Sequence, residues 1–464
     1  MTTEPVEKLI CKLALPTIIS MLVTTFYNIA DTFFVGTIGG GEAEAVQAAM
    51  QTRAQAAVGV VMSLMAIIQA FGFFFGHGSG NYISRALGRH DVKSAETIAS
   101  SGFFYAVITG AVILVLGQIF ANPLAMLFGA TNDCLEYTVQ YMRIILIGAP
   151  ITMASLVLNN QIRFQGNATY AMVGISSGAV LNIMLDAVFI LCLDMEVVGA
   201  ALATVIGQSV SLVLLYIGIK RSDCLKIRVK NLSFGKGVLR EICRGGLPSL
   251  GRQGLSSVST ACLNNMAGIY GALAYAGGDA AATSAVAAMT VVSRIMMFAA
   301  STLVGFGQGF QPVCGFNHGA GLNDRVKKSF WFCVKTAFIF IVVLAVPVYI
   351  FSGDIVAVFR SNDPIALEIG TRAMRLQVIT FPLMSWVIMS NMMLQTMGRV
   401  VSATVLAIAR NGLAFIPAVL ILPLIFGLDG VLFAQPVADL VAFLIAVPVT
   451  VKVLRELSGT PKLN

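Results

Sequence analysis

Charge is what this sequence has least of. Thirty Lys and Arg and 22 Asp and Glu make up 11% of its 464 residues, against about 25% in an ordinary soluble protein. Apolar residues reach 57%. Too little polar surface is available to cover a water-facing body of this size, which excludes a soluble enzyme, a nucleic-acid-binding module and a disordered chain. Histidine is nearly missing as well, with only His77, His90 and His318. No H-E-x-x-H, no G-x-x-x-x-G-K-[ST] and no Gly-rich loop opening a soluble nucleotide domain occurs, so no enzyme, no cofactor and no ATP-driven step within this chain is expected. The eight cysteines are scattered without C-x-x-C spacing and read as small packing residues. The N-terminus mixes acids with its lysines and lacks a small-residue cleavage site after a short apolar core, so it does not read as a secretory signal.

What is present is a series of long apolar runs. A helix needs about 20 mostly apolar residues to cross a hydrocarbon core of about 30 Å. The runs predict spans at 13–36, 54–78, 97–119, 139–160, 170–193, 197–219, 247–270, 281–310, 330–351, 371–396, 402–426 and 430–451. They are continuous, whereas barrel strands would alternate over about ten residues. The expected fold is therefore all-α, an integral membrane protein of twelve transmembrane helices. With the N-terminus in the cytoplasm, 21 of the 30 basic residues fall in cytoplasmic segments and only Arg53 and Arg360 in the opposite loops. Both termini are thus expected on the cytoplasmic side of the membrane. The net charge of +8 is then a topology signal that needs no nucleic-acid partner.

The longest basic stretch, Lys220 to Arg244, falls at the middle of the chain and reads as a linker along anionic headgroups. The sequence repeats around it. Leu15-Pro16 aligns with Leu247-Pro248, Pro150 with Pro382, Asn159 with Asn391, Gly166 with Gly398 and Gly199 with Gly430, at offsets of 231 to 232. The chain is read as two six-helix lobes, 1–219 and 241–464, joined by the linker 220–240. Six spans per copy give both copies the same orientation, a parallel repeat suited to alternating access.

Ionisable groups deep in a span cost about 2.5–3.5 kcal/mol on insertion scales and are functional candidates by default. Here they are Asp31, Asp186, Asp439, Arg294 and Arg410. At 1.5 Å per residue, Asp31 in the first span, Asp186 in the fifth and Thr204 in the sixth lie roughly 8–10 Å below the outer face, and Asn182 stands one turn before Asp186. Two carboxylates in one low-dielectric pocket do not easily both stay ionised, so one holds a proton or a sodium ion replaces that proton. The other possibility is that each Asp simply bonds a neighbouring helix. In the repeat, Asp31 maps to Leu263, Asn182 to Ala414 and Asp186 to Ala418, so the second half lacks the set. Arg410 and Asp439 fit either a structural ion pair between the eleventh and twelfth spans or, with Arg294, a substrate cavity. Tyr27, Met289, Met389 and Met393 join the candidates for that cavity, because flexible methionine surfaces accommodate varied apolar ligands.

The segments LALPTIISMLVTTFYNIADTFFVG (13–36), GSGNYISRALGRHD (78–91), LNNQIRFQGNA (158–168), NIMLD (182–186), VGAALAT (198–204) and GFGQGFQPVCGFNHGAG (305–321) together resemble the multidrug and toxic compound extrusion family, in its bacterial branch with a cation site in the N-terminal lobe. The resemblance runs over essentially the whole chain. It implies twelve helices in two lobes and an antiporter that exchanges protons or sodium ions for amphipathic, often cationic drugs. It also implies a cation site of Asp31, Asn182, Asp186 and Thr204, a helix bend at Pro16, and a possible extension of the network to Asn159 and Asn160. A monomer in the lipid bilayer, with small-molecule drugs as its partners, is expected. The rival function is a flippase for a lipid-linked saccharide, which would need a strongly charged cavity.

Overall fold

The computed structural model describes residues 1–35, 38, 44–221, 224–275, 278–360 and 363–459. Gly36, at the end of the first predicted span, and Lys462, one of the basic residues behind the topology, lie outside the described residues. No strand occurs among those described. Twelve long helices account for most of the chain: α1 Val6–Val35, α2 Glu44–Gly88, α3 Val92–Ile119, α4 Leu135–Phe164, α5 Ala168–Cys192, α6 Glu196–Arg221, α7 Lys236–Ala274, α8 Asp279–Gly319, α9 Asn323–Ile350, α10 Pro364–Thr396, α11 Val400–Phe426 and α12 Leu428–Gly459. Eleven are long and apolar enough to cross a membrane among the described residues. The exception, α7, has the length but spends much of it on Gly, Ser, Thr, Asn and Arg252.

Three of the helices begin at a side chain that satisfies one of the first free N–H groups. Asp91 accepts from the Ser94 amide (3.1 Å) before α3, Asn167 from the Tyr170 amide (3.2 Å) before α5, and Asp363 from the Ala366 amide (3.0 Å) before α10. Three helices are not uniform. The last turns of α5, Ala187–Cys192, form a π-helix, and so does Ala409–Phe415 within α11. In α10 a 3₁₀ turn at Phe381–Leu383 surrounds Pro382, whose missing N–H interrupts the ladder. Its counterpart Pro150 sits inside an unbroken α4.

By packing, the chain forms two units. The first holds Met1 and Lys12–Leu250, the second Thr2–Cys11 and Gly251–Asn464. The boundary therefore falls inside α7 rather than at the 240/241 border expected from the linker. Each unit has its own apolar core: one around Ile68, Tyr141, Met142, Leu146 and Met153, the other around Met289, Met374, Phe415, Val419 and Leu432.

The sequence repeat reappears as matched detail within the units. Asn159 donates its side-chain amide to the Ala171 carbonyl at 2.8 Å, and Asn391, 232 residues on, donates to the Ala403 carbonyl at 2.6 Å. Gly166 and Gly398 both turn the chain with positive φ (95° and 78°), a conformation that costs glycine nothing. A short helix follows α3 (Ala121–Leu127) and another follows α9 (Ser352–Arg360).

Candidate functional site

The first unit brings Asp31, Asn182, Asp186 and Thr204 together, each nine-tenths or more buried. Asp186 is the last residue of the α-helical part of α5, where the backbone passes into the π-helix. Asn182, one turn earlier on the same face, donates to the Thr204 hydroxyl on α6 at 3.4 Å. Asp31, on α1, lies within electrostatic range of Asp186. Pro16 stands inside α1, and the hydroxyl of Thr17 caps the Leu13 and Ala14 carbonyls beside it (3.1 and 2.8 Å).

Close crossing of α5 and α6 sets the Asn182–Thr204 spacing. A Cβ on Gly207 would lie 2.6 Å from the Gly178 carbonyl oxygen and 3.1 Å from the Asn182 Cβ. A Cβ on Gly178 would in turn run into the Gly207 carbonyl and the Ser211 hydroxyl. Only hydrogen at both positions permits this approach.

Two tyrosines complete the group. Tyr27, one turn before Asp31 on α1, is buried beside Asp31 and Asp186. Tyr141 on α4 is fully buried and faces Asp31, Asp186, Tyr27 and Thr204. Sequence reasoning missed Tyr141. It sits six residues into α4, about 9 Å along the helix, level with the two carboxylates. From the predicted span start at 139 the same arithmetic puts it only about 3 Å deep, and the signal that was missing is the earlier start of α4 at Leu135.

The group holds several unsatisfied oxygens. Among the described residues, Oδ1 of Asp31, Oδ1 of Asn182 and both carboxylate oxygens of Asp186 are buried with no hydrogen-bond partner. Buried polar groups are ordinarily satisfied, and an orphan costs about 1–3 kcal/mol. Carboxylate and amide oxygens left in this way suit a proton or a hard cation such as sodium. Tyr27 and Thr204 also line an adjoining cavity of about 20 Å³, with Gln69, Thr152 and Gln208, large enough for one water.

The corresponding place in the second unit is largely apolar. Leu263, Ala414 and Ala418, the counterparts of Asp31, Asn182 and Asp186, all lie in its hydrophobic core, as does Ala373, which stands 232 residues after Tyr141. The two carboxylates and the amide therefore have apolar counterparts in the second lobe, whose own polar group is a different one, Gln435 at the place of Thr204 together with Asp439 and Arg410.

Other candidates are placed elsewhere. Asn159 holds the Ala171 carbonyl, and Asn160 bonds the Leu156 carbonyl (2.7 Å) while accepting from the Arg163 guanidinium (2.6 Å). Their amides are thus committed to the opposite end of α4, which corrects their placement in a cation network. Met289, Met389 and Met393 are fully buried, Met389 tight against Gly307. Their thioethers fill the second core instead of lining a cavity. Arg410 pairs with Asp439 (Nε to Oδ1, 2.8 Å), and Gln435 donates to the same oxygen at 2.8 Å. Of the two readings offered for this pair, the geometry matches the structural one. Arg294 is exposed. The larger cavity of the second unit, about 240 Å³, is walled by apolar side chains such as Met296, Phe298, Val348 and Phe381, with none of the expected residues.

A membrane-spanning helical chain with a duplicated lobe and a pair of buried carboxylates gathered in one copy has the build of a two-lobe transporter. The chain belongs to the MatE family, whose profile matches residues 16–188 and 253–420. It is similar to the multidrug export protein MepA of Staphylococcus haemolyticus (strain JCSC1435), at 27% identity over 93% of this chain and 90% of that one. The MepA of Staphylococcus aureus (strain MRSA252) is 25% identical over 94% and 91%. Among solved structures, the fold matches a multidrug resistance MATE family transporter of the MOP superfamily in its outward-facing conformation, with a TM-score of 0.88, 26% identity and 98% of each chain covered. A MOP superfamily transporter from Pyrococcus furiosus Vc1 (DSM3638) gives the same TM-score and coverage at 25% identity. The protein is accordingly a multi-pass membrane transporter and not an enzyme.

Proposed function

We propose that this transporter exports amphipathic, often cationic small molecules in exchange for a proton or a sodium ion bound at Asp31, Asn182, Asp186 and Thr204. The reading rests on the two buried carboxylates and the amide gathered in the first lobe, where the second lobe has Leu263, Ala418 and Ala414. The relatives named for multidrug export support the substrate class. A proton bound at the group turns one carboxylate into a donor toward the facing oxygens, and a sodium ion uses the same oxygens as ligands. Occupancy of the group changes the hydrogen bonding of α1, which carries Asp31 and, four turns earlier, Pro16 at a point where one ladder bond is already missing. Exchange needs only that cation and drug disfavour one another, a coupling of about 1–3 kcal/mol. The flippase alternative calls for free cations in a cavity, and Arg410 is already paired with Asp439.

The test is uptake of a fluorescent cationic dye into proteoliposomes under an imposed pH or sodium gradient. Wild type is expected to respond to one of the two gradients. Asp31→Asn should abolish exchange while eluting and melting as the wild type does; transport by that variant at the wild-type rate overturns the assignment.

A further inference from the structure

We infer that the segment joining the lobes, residues 224–244, is an anionic-phospholipid anchor laid along α3. Its backbone is tied to that helix step by step. The Lys226 amide donates to Glu96 (3.1 Å), the Arg228 amide to the Ser100 hydroxyl (3.2 Å) and the Ser233 amide to the Ser101 hydroxyl (3.1 Å), while the Tyr105 hydroxyl donates to the Ser233 carbonyl (2.6 Å). These contacts follow α3 from Glu96 to Tyr105, about 14 Å of helix axis. Leu225 is buried on the lobe side, and Ile227 packs against the same small cluster. The segment is therefore a fixed part of the first unit, with one side sealed against protein.

Its other side carries two kinds of residue that seldom share a water-facing surface. Val229 and Phe234 are each 69% exposed, and Leu239 is 46% exposed. The Phe234 ring lies 5.6 Å from that of Tyr105, well into the membrane-spanning part of α3. Interleaved with these are Lys226, Arg228, Lys230, Lys236 and Arg240, all exposed and none paired with a carboxylate among the described residues. Among the described residues, the carboxylates nearest the segment are already engaged: Glu96 by the Lys226 amide and Asn231, Glu241 by Arg85. Uncompensated cations alternating with projecting apolar side chains, held at the end of a span, match the phosphates and acyl boundary of an anionic bilayer surface. The charge complementarity selects phosphatidylglycerol-type headgroups over zwitterionic ones. A soluble acidic partner would meet the cations but leave Phe234 and Val229 in water.

The full-length protein, purified in detergent, would be titrated with short-chain phosphatidylglycerol or phosphatidylcholine while bound lipid and the thermal midpoint are recorded. Wild type should retain phosphatidylglycerol and be stabilised by it, with retention falling as salt is raised. The variant Lys226→Gln/Arg228→Gln/Lys230→Gln should bind it about a hundredfold more weakly, and Val229→Ser/Phe234→Ser should lose the stabilisation. A control at another cluster, Lys452→Gln/Arg455→Gln, should behave as wild type. Equal binding of the two lipids by wild type, or unchanged phosphatidylglycerol binding by the triple variant, overturns the proposal. None of these readouts depends on drug or cation transport.

Discussion

Asp31 and Leu263 occupy corresponding places in the two lobes, and the difference between them holds much of the chemistry in this chain. Asp31, Asn182, Asp186 and Thr204 could be grouped from sequence because depth along a helix is simple arithmetic and intramembrane charge is rare. Tyr141 could not be found by charge, and a tyrosine near a span end is commonplace in membrane proteins. Its hydroxyl faces Thr204 and both carboxylates, so Tyr141→Phe should leave the protein folded while weakening cation dependence in the dye assay. The methionines misled for a different reason: nothing in sequence separates a packed thioether from one lining a cavity. The Arg410–Asp439 pair makes its own prediction. Removing one member of a buried pair costs about 3–5 kcal/mol, whereas exchanging both for apolar residues is often neutral. Arg410 keeps a quarter of its side chain exposed, so Asp439→Leu should fall near the low end of that range and Arg410→Met/Asp439→Leu well below it, as read by thermal unfolding in detergent.

At the level of elements, the apolar runs were enough to place twelve helices, since each span must satisfy its own backbone in lipid. The π-helical turns in α5 and α11 were not legible, because an inserted residue changes neither hydropathy nor length. Their positions matter even so: one begins directly after Asp186 and the other contains Arg410. Such turns often occur at functional sites, where they re-aim a side chain. The close crossing of α5 and α6 was equally hidden, since glycines are common in membrane helices for many reasons. Gly207→Ala would press a methyl group on the Gly178 carbonyl and on Asn182. It should push the helices apart by a few tenths of an ångström and lengthen the 3.4 Å Asn182–Thr204 contact. The expected outcome is folded protein with a raised cation requirement, measured as the concentration giving half-maximal exchange.

For the whole molecule, duplication provides an internal control. Both lobes keep the Asn-to-carbonyl bond and the positive-φ glycine turn, but the second has Leu263, Ala414 and Ala418 where the first has Asp31, Asn182 and Asp186. The scaffold thus tolerates apolar residues at those three places. Asp31→Leu/Asn182→Ala/Asp186→Ala should therefore fold with an equal or higher melting temperature and export nothing. A large loss of stability would show that the polar group is structural after all. Having two carboxylates in one lobe and none at their counterparts in the other also bears on energetics. At most two monovalent ions can be exchanged at that group in each cycle. One ion against one singly charged drug moves no net charge, so voltage does no work and the chemical gradient alone sets the accumulation limit. A second ion would make each cycle electrogenic and add about 2.3 kcal/mol per 100 mV. The reversal potential of exchange would then report how many of the two carboxylates turn over.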